Sequence, residues 1–214
     1  MKVTHFGHSC VLLETGSARL LIDPGVYSAG FADLRDLDAI LITHAHFDHY
    51  DPKTLPDLLK ANPHAELVVD PGTAAEIVKL GLPARTANPG DGFELNGAAI
   101  SVVGGQHAII HADVPVPPNV GYLVDHGAFY HPGDSLFVPE QKIDTLGLPT
   151  GAPWLKLGEA IDFFRAVAPR VAFPIHEAVL APGAIQMAYT RFTDLAPVGA
   201  SVRVPERGTS IELD

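Results

Sequence analysis

The sequence predicts an α/β protein built from two packed β-sheets with helices on the outer faces. Three observations carry that expectation. The first quarter of the chain reads as consecutive strands, and the remainder alternates strands with helices. Nearly half of its 214 residues are hydrophobic, enough for a sizeable core between layers. A chain of this length fits one domain, residues 1–214. Gly and Pro are spread along it, which marks many tight turns and no linker or low-complexity tract.

Residues 3–6, 10–14 and 18–23 are β-rich, with Thr15-Gly16-Ser17 as a hairpin turn and Asp23-Pro24-Gly25 as the stop. Residues 39–43 are nearly all apolar and fit a strand buried on both faces. Leu55, Leu58 and Leu59 recur at helical spacing within 52–61, with Asp51 placed as the N-cap. A strand at 66–70 and a helix at 73–80, ended by Gly81, come next. Strands at 84–86, 93–95 and 98–103 lead into a loop rich in His and Pro. Residues 120–125 and 128–131 fit a hairpin through His126-Gly127, and 143–148 a short strand. The clearest helix is 157–167, with Ile161, Phe164 and Val167 on one face. A strand at 170–175, a helix at 184–194, and a closing hairpin of 201–203 with 209–211 complete the chain.

The formal charge of -11 argues against nucleic acid or an anionic membrane as partner. Cys10 is the only cysteine, so no disulfide forms within the chain and metal ligands must be His and Asp. That suits a reducing, cytoplasmic setting. The first residues enter strand-like alternation directly, and no run reaches the roughly 18 apolar residues of a membrane span.

The chemistry concentrates in Thr43-His44-Ala45-His46-Phe47-Asp48-His49-Tyr50-Asp51. Three imidazoles and a carboxylate fall within six residues, at the end of an apolar strand. Imidazole is the commonest metal ligand at neutral pH, and carboxylate oxygen suits the same ions. Three more candidates sit where strands finish: His107 after Gly104-Gly105, Asp134 in His131-Pro132-Gly133-Asp134, and His176 after 171–175. Residues at the ends of several strands converge on one sheet edge. His111 competes with His107 as the ligand, but Pro115, Pro117 and Pro118 oppose a helix that would align both, and the preceding strand favours His107.

The order His44-x-His46-x-Asp48-His49, then His107, Asp134 and His176, resembles the metallo-β-lactamase superfamily over essentially the whole chain. His5-Phe6-Gly7-His8-Ser9, Gly105-Gln106-His107-Ala108, 118–122 and 131–134 are similar to the small hydrolases of the ascorbate-6-phosphate lactonase group. The resemblance implies a four-layer αβ/βα sandwich of two mixed sheets, with two divalent metals at one edge. Zinc is the first choice, and manganese, iron or nickel are also compatible. It implies that His44, His46 and His107 hold one metal, that Asp48, His49 and His176 hold the other, and that Asp134 bridges both. Asp48 has a second reading as a general base. The resemblance places His8 near the site as a supporting or substrate contact, and the remaining role for His111 is at the rim. Asp23 is a candidate acceptor for a ligand imidazole, and His131 a candidate donor to a ligand carboxylate. Trp154 reads as a packing anchor, His5 as structural, Cys10 as core, and His64 and His126 as surface.

The expected activity is hydrolysis of an ester, lactone, amide or phosphodiester in a small molecule by metal-bound hydroxide. A carboxylic or phosphate-bearing substrate is favoured, because a two-metal centre attracts oxyanions. Nucleic-acid processing in the superfamily comes with an inserted domain that 214 residues leave no room for. The alternatives are a di-iron redox protein, whose flavodiiron relatives replace one histidine with a carboxylate, and a non-catalytic metal-binding protein. Self-association is left open.

Overall fold

Side-chain alternation within the strands decides which layer each residue enters. In the computed structural model, which describes residues 1–213, β1 (Lys2–His5), β2 (Val11–Glu14) and β3 (Arg19–Ile22) form an antiparallel meander. β4 (Ala39–Ile42), β5 (Glu66–Val69) and β6 (Arg85–Thr86) extend it in parallel through α1 (Leu55–Ala61) and α2 (Pro71–Leu80). The second half repeats the plan. β7 (Gly92–Leu95), β8 (Ala98–Gln106), β9 (Pro118–Val124) and β10 (Phe129–His131) are antiparallel. β11 (Thr145–Pro149), β12 (Val171–Ile175) and β13 (Ser201–Val202) continue in parallel through α3 (Leu157–Val167) and α4 (Pro182–Asp194). The sheet orders are β14-β1-β2-β3-β4-β5-β6, where β14 is Ser210–Glu212, and β13-β12-β11-β10-β9-β8-β7.

Three apolar clusters separate four layers. Leu13, Leu20, Ile22 and Leu41 of the first sheet meet Ile100, Val102, Tyr122 and Phe173 of the second. The alternate residues Leu21, Ile40, Ile42 and Leu67 face away, onto Leu55 and Leu58 of α1 and Ile77 of α2. In the second sheet Leu123, Tyr130, Leu146 and Ala172 likewise face Ile161 and Phe164 of α3 and Phe192 of α4. β4 is buried along its whole length, because both of its faces are covered. The result is the αβ/βα sandwich expected from the sequence. No helix among the described residues is long and apolar enough to cross a membrane.

Several local expectations need correction. The closing hairpin does not form. β13 joins the second sheet beside β12, and β14 joins the first beside β1. Both segments are short edge strands, and each finds its hydrogen bonds on a different sheet. Asp51 does not cap α1. It accepts from Lys53 N in a preceding turn, and Thr54 takes the N-cap position. α2 begins two residues earlier than expected, since Asp70 accepts from Gly72 and Thr73 amides and Pro71 sits in the first turn. α4 likewise starts at Pro182 rather than 184, and the strand expected at 143–148 runs from Thr145 to Pro149.

Strand direction places the site. β1, β3 and β4 run the same way in one sheet, as do β8, β10 and β12 in the other. The C-terminal ends of all six deliver His8, Asp23, His44, His107, Asp134 and His176 to the site.

Candidate metal centre

Two groups of potential ligands form at this edge. His44, His46, His107 and Asp134 are one, and His8, Asp48, His49 and His176 the other, each with its donor atoms within 4.8 Å of one another. His44 Nε2 lies 3.1 Å from His46 Nδ1, and His107 Nε2 lies 3.2 Å from Asp134 Oδ2. On the other side, His49 Nε2 and His176 Nε2 lie 2.9 and 3.1 Å from Asp134 Oδ1. One oxygen of Asp134 therefore faces each group. Asp48 Oδ2 stands 4.0 Å from His49 Nε2 and 3.6 Å from His176 Nε2.

The outward nitrogen of each buried imidazole is fixed by an acceptor. Backbone carbonyls of Ala108 and Gly151 take the Nδ1–H of His107 (2.6 Å) and His176 (2.7 Å). Asp23 Oδ2 takes that of His49 at 2.6 Å, and also accepts from Thr43 Oγ1 at 2.7 Å. The Thr43 hydroxyl in turn lies 3.0 Å from His44 Nδ1. Each Nε2 is thus aimed inward, the arrangement by which second partners orient metal-bound histidines.

His8 differs. Its Nδ1 accepts from Ala178 N at 3.3 Å, so its Nε2–H donates to Asp48 Oδ2 at 3.0 Å. This tautomer makes His8 a holder of the Asp48 carboxylate rather than a ligand. Behind it, Glu177 Oε1 accepts from His8 N (3.1 Å) and from Arg207 Nη2 (2.9 Å). His8, Asp23 and His176 all adopt left-handed backbone, with φ of 51, 51 and 62°. Such residues cost about 1–3 kcal/mol each and persist where the surroundings enforce them. Close packing does so here. A Cβ on Gly25 would collide with the Asp48 carbonyl, and one on Gly133 with Asn119 Oδ1.

Electrostatics divides the groups. Burial pushes the His44 imidazole well down, helped by the charge of His49, and burial also lowers His46. Burial holds His8 neutral, down to about 4, against the opposing pull of Asp48. For His49 burial opposes protonation, but the negative charges of Asp134 and Asp23 outweigh it and raise its pKa well above 6.5. His176 is raised against burial in the same way, by Asp134. Burial would raise the carboxyls, yet neighbouring imidazoles win. Asp134 is held well below the usual range by His49 and His176, and Asp48 is held at about 2 by the His8 hydrogen bond and the charge of His49. Both acids are carboxylates at neutral pH.

The donor set suits divalent cations. His49 Nε2, His176 Nε2 and Asp134 Oδ1 are buried without a well-formed hydrogen bond. Buried polar atoms left so need a partner, and a cation supplies one. Two nitrogens on a tetrahedral zinc at about 2.0–2.1 Å would lie about 3.3 Å apart, close to the 3.1 Å between His44 and His46.

The other expected residues fall in different places. His111 is exposed on its loop and accepts from Asp113 N, outside both groups. His131 does not reach a ligand carboxylate. Its Nε2 donates to Ser9 O, and its Nδ1 accepts from Gly133 N, which shapes the turn carrying Asp134. His5 is buried and donates to His8 O. Cys10 is buried, while His64 and His126 are exposed. Trp154 is more than a packing anchor, because its Nε1 donates to Asp134 Oδ2 at 2.8 Å. Its signal was its position in a Pro/Gly segment after β11, the kind of loop that shapes a sheet-edge site. Asn119 was also missed. It donates to Pro132 O and accepts from Asp134 N, and its signal was its place in the 118–122 stretch that carries the family resemblance.

Residues 2–176 match a family model described as beta-lactamase superfamily domain, a span that closes on His176. The Mycobacterium tuberculosis protein Rv0786c is 50% identical over 210 residues, covering 96% of this chain and 97% of its own. The UPF0173 metal-dependent hydrolase Ta0764 of Thermoplasma acidophilum is 26% identical, covering 100% of this chain and 99% of its own. Among solved structures, Igni18 of Ignicoccus hospitalis, a novel metallo hydrolase, has a TM-score of 0.76 at 23% identity, covering 98% of this chain and 97% of that one. That likeness is one of fold.

Proposed function

This chain belongs to the metallo-β-lactamase superfamily and is a metal-dependent hydrolase, and from that premise we propose a two-metal centre that cleaves an ester, lactone, amide or phosphodiester of a small molecule. His44, His46 and His107 would hold one cation and Asp48, His49 and His176 the other, with Asp134 presenting one oxygen to each group. Zinc fits the donor set best, as imidazole and carboxylate are its ordinary ligands. Bound there, the cations acidify coordinated water and stabilise negative charge that develops on oxygen.

The protein's own groups do the rest. Asp23 and the two carbonyls keep the imidazoles aimed. His8 holds Asp48 as a carboxylate at the open side of the cluster. Asp48 is half-buried and lines the cavity above the cluster, so it also faces an incoming substrate. Trp154 orients Asp134.

The observation that carries this reading is the division of Asp134, with Oδ1 beside His49 and His176 and Oδ2 beside His107. Elemental analysis of the purified protein, joined to an ester and lactone panel, tests it. The expected result is about two equivalents of metal per chain and turnover abolished by chelation. One equivalent with full activity would refute the two-metal reading.

A further inference from the structure

The cavity above Asp48 and Asp134 measures about 300 Å³ and is walled by Tyr27, Phe47, Ile110, Pro153, Trp154 and Val179. Large hydrophobics stand open at its mouth: Tyr27 is 40% exposed, Phe47 57%, Ile110 41% and Val179 43%. Tyr27 and Phe47 brace each other edge to face, with centroids 5.4 Å apart. Contiguous exposed apolar surface around a polar floor is the signature of a ligand site. No Lys or Arg lines it, and its acidic groups are Asp48 and Asp134. An anionic substituent lying on these walls, away from the cluster, would find no partner and would lose its hydration. Beyond the cluster itself, the walls offer no cationic partner to the carboxylic or phosphate-bearing substrate expected from the sequence.

We propose that this cavity takes the apolar acyl portion of an uncharged ester or lactone, its carbonyl turned to the His/Asp cluster. The proposal rests on the hydrolase reading. The volume holds about ten water-sized groups, room for the ester and a chain of about four to eight carbons. In the reaction the water oxygen bonds the acyl carbon and the acyl C–O bond breaks. One water proton leaves with the alcohol, and the other goes to the medium as the acid ionises.

Metal-loaded protein assayed on p-nitrophenyl esters from acetate to octanoate should show kcat/KM rising about two- to fourfold per methylene up to about hexanoate. The glutarate monoester, similar in length but anionic, should fall at least about tenfold below hexanoate, since an unpaired charge is costly on an apolar wall. Val179→Lys should narrow that gap or reverse it. A flat series, or preference for the monoanion or for bis(p-nitrophenyl) phosphate, overturns the substrate class and leaves the hydrolase reading intact. Loss of all turnover across esters, lactones, amides and phosphodiesters overturns the hydrolase reading instead.

Binding then separates the two. Trp154 is the only tryptophan in the chain, so its fluorescence reports the cavity even in metal-free protein. A saturable change with methyl hexanoate, absent with monomethyl adipate, supports the apolar site, and no saturable change overturns it. If the open rim seats a second copy of the chain instead, light scattering would show a dimer that Phe47→Asp converts to monomer. That result also overturns the proposal.

Discussion

The two sheets supply the cluster in different ways. The first gives His44, His46, Asp48 and His49 from one loop after β4. The second gives His107, Asp134 and His176 singly, from the ends of β8, β10 and β12. Supports differ too. The loop is tied by side chains of its own sheet, through the chain His44–Thr43–Asp23–His49 and through His8 on Asp48. The separate residues are tied mainly by backbone carbonyls and by the Asn119 and Trp154 side chains. The loop can be assembled locally, whereas the other half exists only once the second sheet has folded.

The largest effect is expected at Asp134, where the halves meet. Asp134→Ala should lower kcat/KM at least about a hundredfold and take metal content from two equivalents to below one. Unchanged stoichiometry by elemental analysis would break the division of its two oxygens. Next, His107→Ala should lose about one equivalent while His111→Ala keeps both, given the exposed side chain of His111. The opposite outcome would exchange their roles. Support of the loop half comes third. Asp23→Asn should weaken metal affinity about 10–100-fold, measured by competition with a chromogenic chelator, and equal affinity would make the short Asp23–His49 bond irrelevant.

A smaller difference separates the groups by pH. In the cation-free chain His49 and His176 are raised by Asp134, so their protons must leave when metal binds. His44 and His46 are lowered and are already neutral near pH 7. Affinity at the His49/His176 side should therefore rise with pH, with protons released. Affinity at the His44/His46 side should change less. Calorimetry in buffers of different ionisation enthalpy reads this directly, and equal proton release at both steps would contradict it.

The same contrast sets what was legible. The histidine run announces itself because its members are neighbours in sequence. His107, Asp134 and His176 were legible as strand ends, since strand direction sends them to one edge. Trp154 and Asn119 were not, because a hydrogen bond to Asp134 depends on packing between segments and leaves no local pattern. The final strands failed for a related reason. Two short β-rich segments separated by a turn suggest a hairpin, and nothing within them tells that each completes a different sheet. Arg207 lies between them and reaches Glu177 behind His8, a contact that no spacing rule reveals.

Crystals of the metal-loaded protein, with anomalous scattering recorded at the zinc edge, test the central claim most directly. Two peaks about 3.5–4 Å apart are expected, one beside His44, His46 and His107, the other beside Asp48, His49 and His176, with Asp134 between them. A single peak, or a pair that leaves Asp134 outside both, would contradict the two-metal centre.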